Sequence, residues 1–118
     1  MNASDKLTEL ADMFHLMGDP TRLSILFACL DRARAVGELA VETGASASLV
    51  SHHLRLLRAA RIVRAERRGR QIFYCAADAH IRDVLRDMVA HAGEPQVTVH
   101  DNSRPPAKPR RTRRKDVA

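Results

Sequence analysis

Leu7, Leu10, Ala11, Phe14 and Met17 recur every three or four residues, which predicts an amphipathic helix over 4–17 with Ser4 as its cap. Gly18-Asp19-Pro20 breaks that pattern and starts a second helix, with Asp19 as cap and Pro20 in the first turn. It runs to about Leu30, with Leu23, Leu26, Phe27 and Leu30 inward. A shorter helix over 35–42 carries Val36, Leu39 and Ala40, and Gly44 ends it. Ser46 caps a fourth over 46–59, with Leu49, Val50, His53, Leu54 and Leu57 along one side. The pattern then changes. Residues 62–67 and 71–76 read as strands, with Arg68-Gly69 as the turn of a β-hairpin. From Asp78 to Glu94 helical spacing returns, with Ile81, Val84, Leu85, Met88 and Ala92 apolar. Asp78 suits the N-cap of this last helix, and Gly93 followed by Pro95 suits its end.

The fold class that follows is mainly α with a small β-hairpin. The third and fourth helices, joined by a short turn containing glycine, form a helix-turn-helix. In that motif the second helix enters the major groove and its N-terminal residues meet base edges. Here those residues are Ser46, Ser48, Ser51 and His52, with Arg55 one turn further on. A basic hairpin directly after a recognition helix reads as a wing. Its tip is Arg67-Arg68-Gly69-Arg70, suited to the DNA backbone or the minor groove. The plainer alternative is a helical hairpin with serines on its wet face, and the arginines that follow weigh against it.

Charge sharpens this picture. The chain has 118 residues and a net charge of +6, but residues 101–118 alone carry +5. Residues 1–95 suit one domain, and 96–118 read as a basic, Pro-rich, disordered tail. Within the near-neutral body, Arg55, Arg58, Arg61, Arg64, Arg67, Arg68 and Arg70 face Glu66 alone. Such a directed patch points to a polyanion, most simply double-stranded DNA. Cys29 and Cys75 have no paired spacing, which fits a reducing cytoplasm. No apolar run is long enough to cross a membrane, and no signal peptide is visible. No nucleophile–base arrangement, phosphate-binding glycine loop or open three-ligand zinc site is evident, so an enzyme is not expected.

The last helix carries different chemistry. His80 and His91 are eleven residues apart, so they point within about 20° of each other but lie roughly 16 Å apart along the axis. Zinc–nitrogen bonds are about 2.1 Å, so one helix cannot place both imidazoles on one ion. A second, antiparallel copy can. Asp78 and His80 of one helix then face His91 and Glu94 of the other, and two-fold symmetry makes the site twice. The plainer reading gives Asp78 a capping role, His80 and His91 a packing role and Glu94 to solvent. His15 has no companion ligand one turn away and reads as structural or exposed, and His100 reads as a spare ligand or, more simply, free.

The whole order resembles the ArsR/SmtB family of winged-helix metal-sensing repressors. The resemblance covers about residues 5–95. It rests on Gly18-Asp19-Pro20-Thr21-Arg22, on Ser51-His52-His53-Leu54-Arg55-Leu56-Leu57, and on the Asp78, His80, His91, Glu94 set. It implies a homodimeric repressor that binds operator DNA at the promoter of metal efflux or sequestration genes and leaves it when metal binds. The four residues match the family's C-terminal-helix site, which favours Zn(II) and also takes Co(II), Ni(II) or Cd(II). The family's other common site uses a cysteine pair in the third helix, where this chain has none, and two His with two carboxylates suit a borderline ion. In similar sensors the ligand matching His91 reaches a main-chain carbonyl just past the recognition helix, here that of Arg61. Two alternatives remain open: a family member answering a redox signal through Cys29 and Cys75, and a metal-buffering protein that does not regulate DNA.

Overall fold

The computed structural model describes residues 2–95. The expectations for the basic tail and for His100 lie outside the described residues. Five helices and three strands follow in the order α1 (Ala3–Met17), α2 (Pro20–Ala28), β1 (Arg34–Ala35), α3 (Val36–Thr43), α4 (Ala47–Ala59), β2 (Val63–Arg68), β3 (Gln71–Ala76) and α5 (Ala79–Gly93). This is the mainly helical winged helix-turn-helix expected, with one short strand, β1, that the pattern did not reveal.

Four of the helices begin where a side chain accepts a hydrogen bond from an otherwise orphaned N–H. Asp19 accepts from Arg22 N at 2.9 Å, Ser46 from Leu49 N at 3.1 Å and Asp78 from Ile81 N at 3.1 Å, as the sequence predicts. In α1 the cap is Asn2, which accepts from Asp5 N at 2.9 Å, and Ser4 already lies inside the helix. The cap thus sits two residues earlier than expected, at an amide oxygen, and the helix begins at Ala3 and not at Ser4.

The chain divides into two units, Met1–Arg86 and Asp87–Ala118. The first contains the core: Ile25 and Leu26 of α2, Leu39 of α3, Val50, Leu54 and Leu57 of α4, and Ile62, Val63, Ala76 and Leu85 around them. Several residues expected inside are not. Leu49 is exposed, and Leu7, Leu10 and Phe14 of the α1 stripe are 66%, 46% and 49% exposed. Met17, with Met13 and Leu16 beside it, carries the buried face of α1 instead. Leu7, Leu10 and Phe14 therefore form a second apolar face that is left exposed among the described residues. On α5, Val84, Met88 and Val89 are likewise exposed, and only Leu85 is buried.

The strands form an antiparallel sheet in the order β1-β3-β2. Arg68 pairs with Gln71, so the wing turns on Gly69-Arg70 alone, one residue later than Arg68-Gly69. Gly69 has φ +64°, a left-handed conformation that glycine adopts without cost. β1 is only Arg34–Ala35, too short for a periodic signal. It is held in place partly by Arg34, whose guanidinium donates to the Ala28 carbonyl at 3.1 Å and to Glu42 at 2.9 Å.

α4 ends in a tight reversal. Ile62 N donates back to the Leu57 carbonyl at 2.9 Å, and Arg61 takes φ +60°. A side chain in this region costs roughly 1–2 kcal/mol. Comparing two variants isolates that cost, because both lose the Arg61 side chain equally. Arg61→Gly is expected to unfold with a free energy about 1 kcal/mol higher than Arg61→Ala, the reverse of their order in a helix interior. Chemical denaturation of the pair checks this.

Candidate nucleic-acid interface and metal ligands

The recognition helix α4 is fixed by a buried stripe, Val50, His53, Leu54 and Leu57. His53 is the unusual member. Arg22 Nε donates to its Nδ1 at 3.0 Å, and the same guanidinium donates to the Leu16 carbonyl at 3.1 Å. Arg22 thus ties the α1–α2 corner to the middle of the recognition helix. Nδ1 can accept only if it carries no proton, so His53 is the neutral tautomer with hydrogen on Nε2. Burial and then the Arg22 cation hold its pKa below the usual imidazole value, while Asp19 works the other way. His52 lies beside it, with ring centroids 5.6 Å apart.

With that stripe inward, Ser48, His52 and Arg55 are exposed and Ser51 is half-buried. Ser46 is exposed too, but its oxygen is committed to the cap as an acceptor. The arginines divide into two sets. Arg64 and Arg68 share Glu66 at 3.3 and 3.1 Å, Arg68 also lies 4.8 Å over the Phe73 ring, and Arg61 pairs with Glu9 at 3.0 Å. Among the described residues, Arg55, Arg58, Arg67 and Arg70 form no ion pair with a carboxylate. Of the seven arginines from 55 to 70, these four keep their charge for a polyanion. Arg68 was expected among them, but Glu66 partly neutralises it and the ring holds it down.

At the start of α5, Asp78 and His80 approach each other, with Nδ1 of His80 3.5 Å from Oδ1 of Asp78. Both are exposed. The bond from Ile81 N–H, aided by His80, holds the Asp78 carboxyl below its ordinary range. His91 lies in the last turn, and Glu94 N donates to its carbonyl at 3.1 Å. Among the described residues, no three His, Cys, Asp or Glu side chains come together to hold an ion within one chain. The Arg61 carbonyl accepts no hydrogen bond among the described residues. His15 is exposed. Cys29 is fully buried, which pushes its thiol up to about 12, and burial raises Cys75 as well.

Residues 19–65, from the cap of α2 into the wing, match the model of the bacterial regulatory protein, arsR family. Over 90 residues the chain is 36% identical to a transcriptional repressor SmtB homolog of Synechocystis, covering 76% of this chain and 68% of that protein. The chain belongs to the ArsR family. Its relatives are transcriptional regulators, not enzymes. Among solved structures, the homodimeric winged helix-turn-helix domain Mb0332 of Mycobacterium bovis has a TM-score of 0.71 at 25% identity. That match covers 75% of this chain and 82% of the other. The cadmium sensor CMTR of Mycobacterium tuberculosis has a TM-score of 0.61 at 37% identity, covering 74% and 96%. In this ArsR-family chain the Arg22–His53 tie was the part hardest to anticipate. A histidine among leucines was the only local sign of it, and the arginine lies 31 residues away.

The tie has a pH signature. Because folding depresses the pKa of His53, its contribution to stability is complete above about 6.5. It declines as pH drops below that value and is gone once pH falls through the folded pKa. His53→Asn keeps an acceptor for Arg22 but does not titrate. Unfolding measured between about pH 7 and 5 is therefore expected to lose more stability in the wild-type chain than in His53→Asn.

Proposed function

We propose that this chain is a metal-responsive transcriptional repressor. It binds operator DNA as a homodimer in the cytoplasm and is released when a divalent ion, Zn(II) foremost, binds between the protomers. Co(II), Ni(II) and Cd(II) are the other ions this donor set suits. The observation that carries the reading is the exposed Asp78–His80 pair at one end of a helix whose last turn holds His91, with Glu94 just beyond. On this reading each end contributes half a coordination sphere, and neither half is complete alone. Asp78 and His80 of one protomer with His91 and Glu94 of the other supply two nitrogens and two carboxylates, a closed set of four such as sensing sites use. The exposed apolar residues of α1 and α5 support a second copy as the covering partner. The homodimeric Mycobacterium bovis domain and the cadmium sensor support the same assembly and the same class of signal.

On the DNA side, Ser48, Ser51, His52 and Arg55 present small donors and one cation from the recognition helix, while Ser46 holds its first turn. Arg67 and Arg70 carry the wing, with Arg68 steadied on Phe73. Release follows from linkage. If the ion binds the free dimer more tightly than the DNA-bound dimer, DNA affinity falls by the same factor. A ligating imidazole usually donates its other N–H to an acceptor. The open Arg61 carbonyl is the acceptor we assign to His91, placing the link at the reversal that ends the recognition helix.

The redox alternative is disfavoured by the thiols themselves. A thiolate is the reactive form, and burial holds both cysteines protonated. Iodoacetamide at pH 8 is expected to label neither cysteine appreciably in the native protein and both within minutes in denaturant, read by mass spectrometry. The shared site has a sharper test. Asp78→Ala/His80→Ala homodimers and His91→Ala/Glu94→Ala homodimers each contain only half-sites. A heterodimer of the two contains one complete site. Mixing them is expected to restore one tight ion per heterodimer and with it metal-dependent release of DNA. Full binding by either variant alone would show that its deleted pair does not ligate, and no recovery on mixing would show that the two pairs do not meet across the dimer; either result overturns the reading.

A further inference from the structure

A groove of about 460 Å³ runs between α4 and the central strand β3, lined by Ser51, Leu54, Arg55, Arg58, Ala59 and Tyr74. Resting on the repressor reading above, we propose that this groove is a seat for one DNA backbone phosphate, closed by Arg58 and Tyr74. Neither residue belongs to the base-facing set.

Position on the helix separates the two roles. Ser51 and Arg58 are seven residues apart and point within about 20° of each other, with Arg55 about 40–60° round. Ser48 and His52 lie about 60–120° further round from that flank, on the outward ridge. The Ser51–Arg58 flank faces the wing, because Tyr74 on β3 forms the opposite wall. Arg58 is also in the last turn of α4. It stands roughly 18 Å along the axis from Ser46, whose end of the helix enters the groove. A side chain that far back meets the backbone as it passes, not the base edges.

The chemistry of the lining suits a phosphodiester. Two guanidiniums three residues apart carry no ion pair with a carboxylate, while neighbours Arg61, Arg64 and Arg68 are all paired. Ser51 adds a hydroxyl and Tyr74 a phenol, and neither makes a side-chain hydrogen bond among the described residues. Leu54 is fully buried and gives the groove an apolar floor, while the exposed Ala59 lies at its rim. A monoanion with two free oxygens can accept from an arginine fork on one and from a hydroxyl on the other. Tyr74 is half-buried and packed against the core, so its phenol is presented from a rigid wall.

Phosphate contacts act on all sequences alike and appear in the salt dependence, whereas base contacts act on the operator alone. The test measures binding to a duplex from immediately upstream of the coding sequence and to a scrambled duplex of equal length, across a series of salt concentrations. Arg58→Gln is expected to weaken both by a similar factor, about tenfold, and to reduce the slope of log affinity against log salt by about one. Tyr74→Phe is expected to weaken both about threefold to tenfold with the slope unchanged. Arg64→Gln, which removes the same charge from a residue already paired with Glu66, serves as the control for net charge. Thermal unfolding of each variant confirms the fold. If Arg58→Gln changes the slope no more than Arg64→Gln, or weakens the upstream duplex alone, the phosphate seat is overturned. The repressor reading survives either result, and falls only if the wild-type dimer binds neither duplex. Inorganic phosphate titrated into the free protein provides the last arm. Saturable shifts at Arg58 and Tyr74 at submillimolar concentration would assign the groove to a small anion and overturn the DNA assignment.

Discussion

The recognition helix has one side it can bury, and the manner of that burial determines what the other sides can do. Val50, Leu54 and Leu57 supply the apolar contact, while Arg22 reaches across from the α1–α2 corner to the imidazole of His53. Apolar packing is tolerant of small rotations, but a hydrogen bond from a planar guanidinium to one ring nitrogen is not. The bond therefore sets the roll of α4 about its own axis. Rolled as it is, the helix sends Ser48 and His52 outward and turns Ser51 and Arg58 toward the wing. Without that bond the apolar contacts of α4 would remain, but the roll that decides which residues face outward would lose its definition.

Charge is arranged with the same economy. Seven arginines between 55 and 70 look equivalent along the chain, yet three are balanced by Glu9 or Glu66 and four are not. The balanced ones hold corners and strands together near the surface, where an exposed ion pair adds little stability but does fix a side chain. The others project from the flank of α4 and the tip of the wing. A patch that would count as +6 from the sequence thus acts as a smaller number of directed cations.

Most of the architecture was legible because the periods were clean. The change from helical spacing to paired strands after Arg61 and the return at Asp78 marked the wing correctly to within a residue, and three caps were found by residue type. The pattern failed where apolar residues stay exposed among the described residues. Leu7, Leu10 and Phe14 repeat as regularly as any core stripe, so periodicity cannot distinguish a face buried by folding from one left for another copy. Asn2 was missed as a cap because Ser4 offered a similar oxygen two residues on. β1 was missed because two residues have no period. On α5 the spacing of His80 and His91 predicted that one helix cannot bring both imidazoles together, but not that His80 would lie 3.5 Å from Asp78. Arg61 in a left-handed turn left no trace in the sequence, since that conformation normally selects glycine.

Asp78 serves the start of α5 with one oxygen, which receives the Ile81 N–H. A carboxylate has a second. The capping oxygen, Oδ1, is also the one 3.5 Å from Nδ1 of His80, so Oδ2 is left out of the bond that holds the first turn. On the proposed reading, an ion would meet a helix end already formed, and the delay in the response would lie with the ion's arrival, set by diffusion and by how scarce the free ion is.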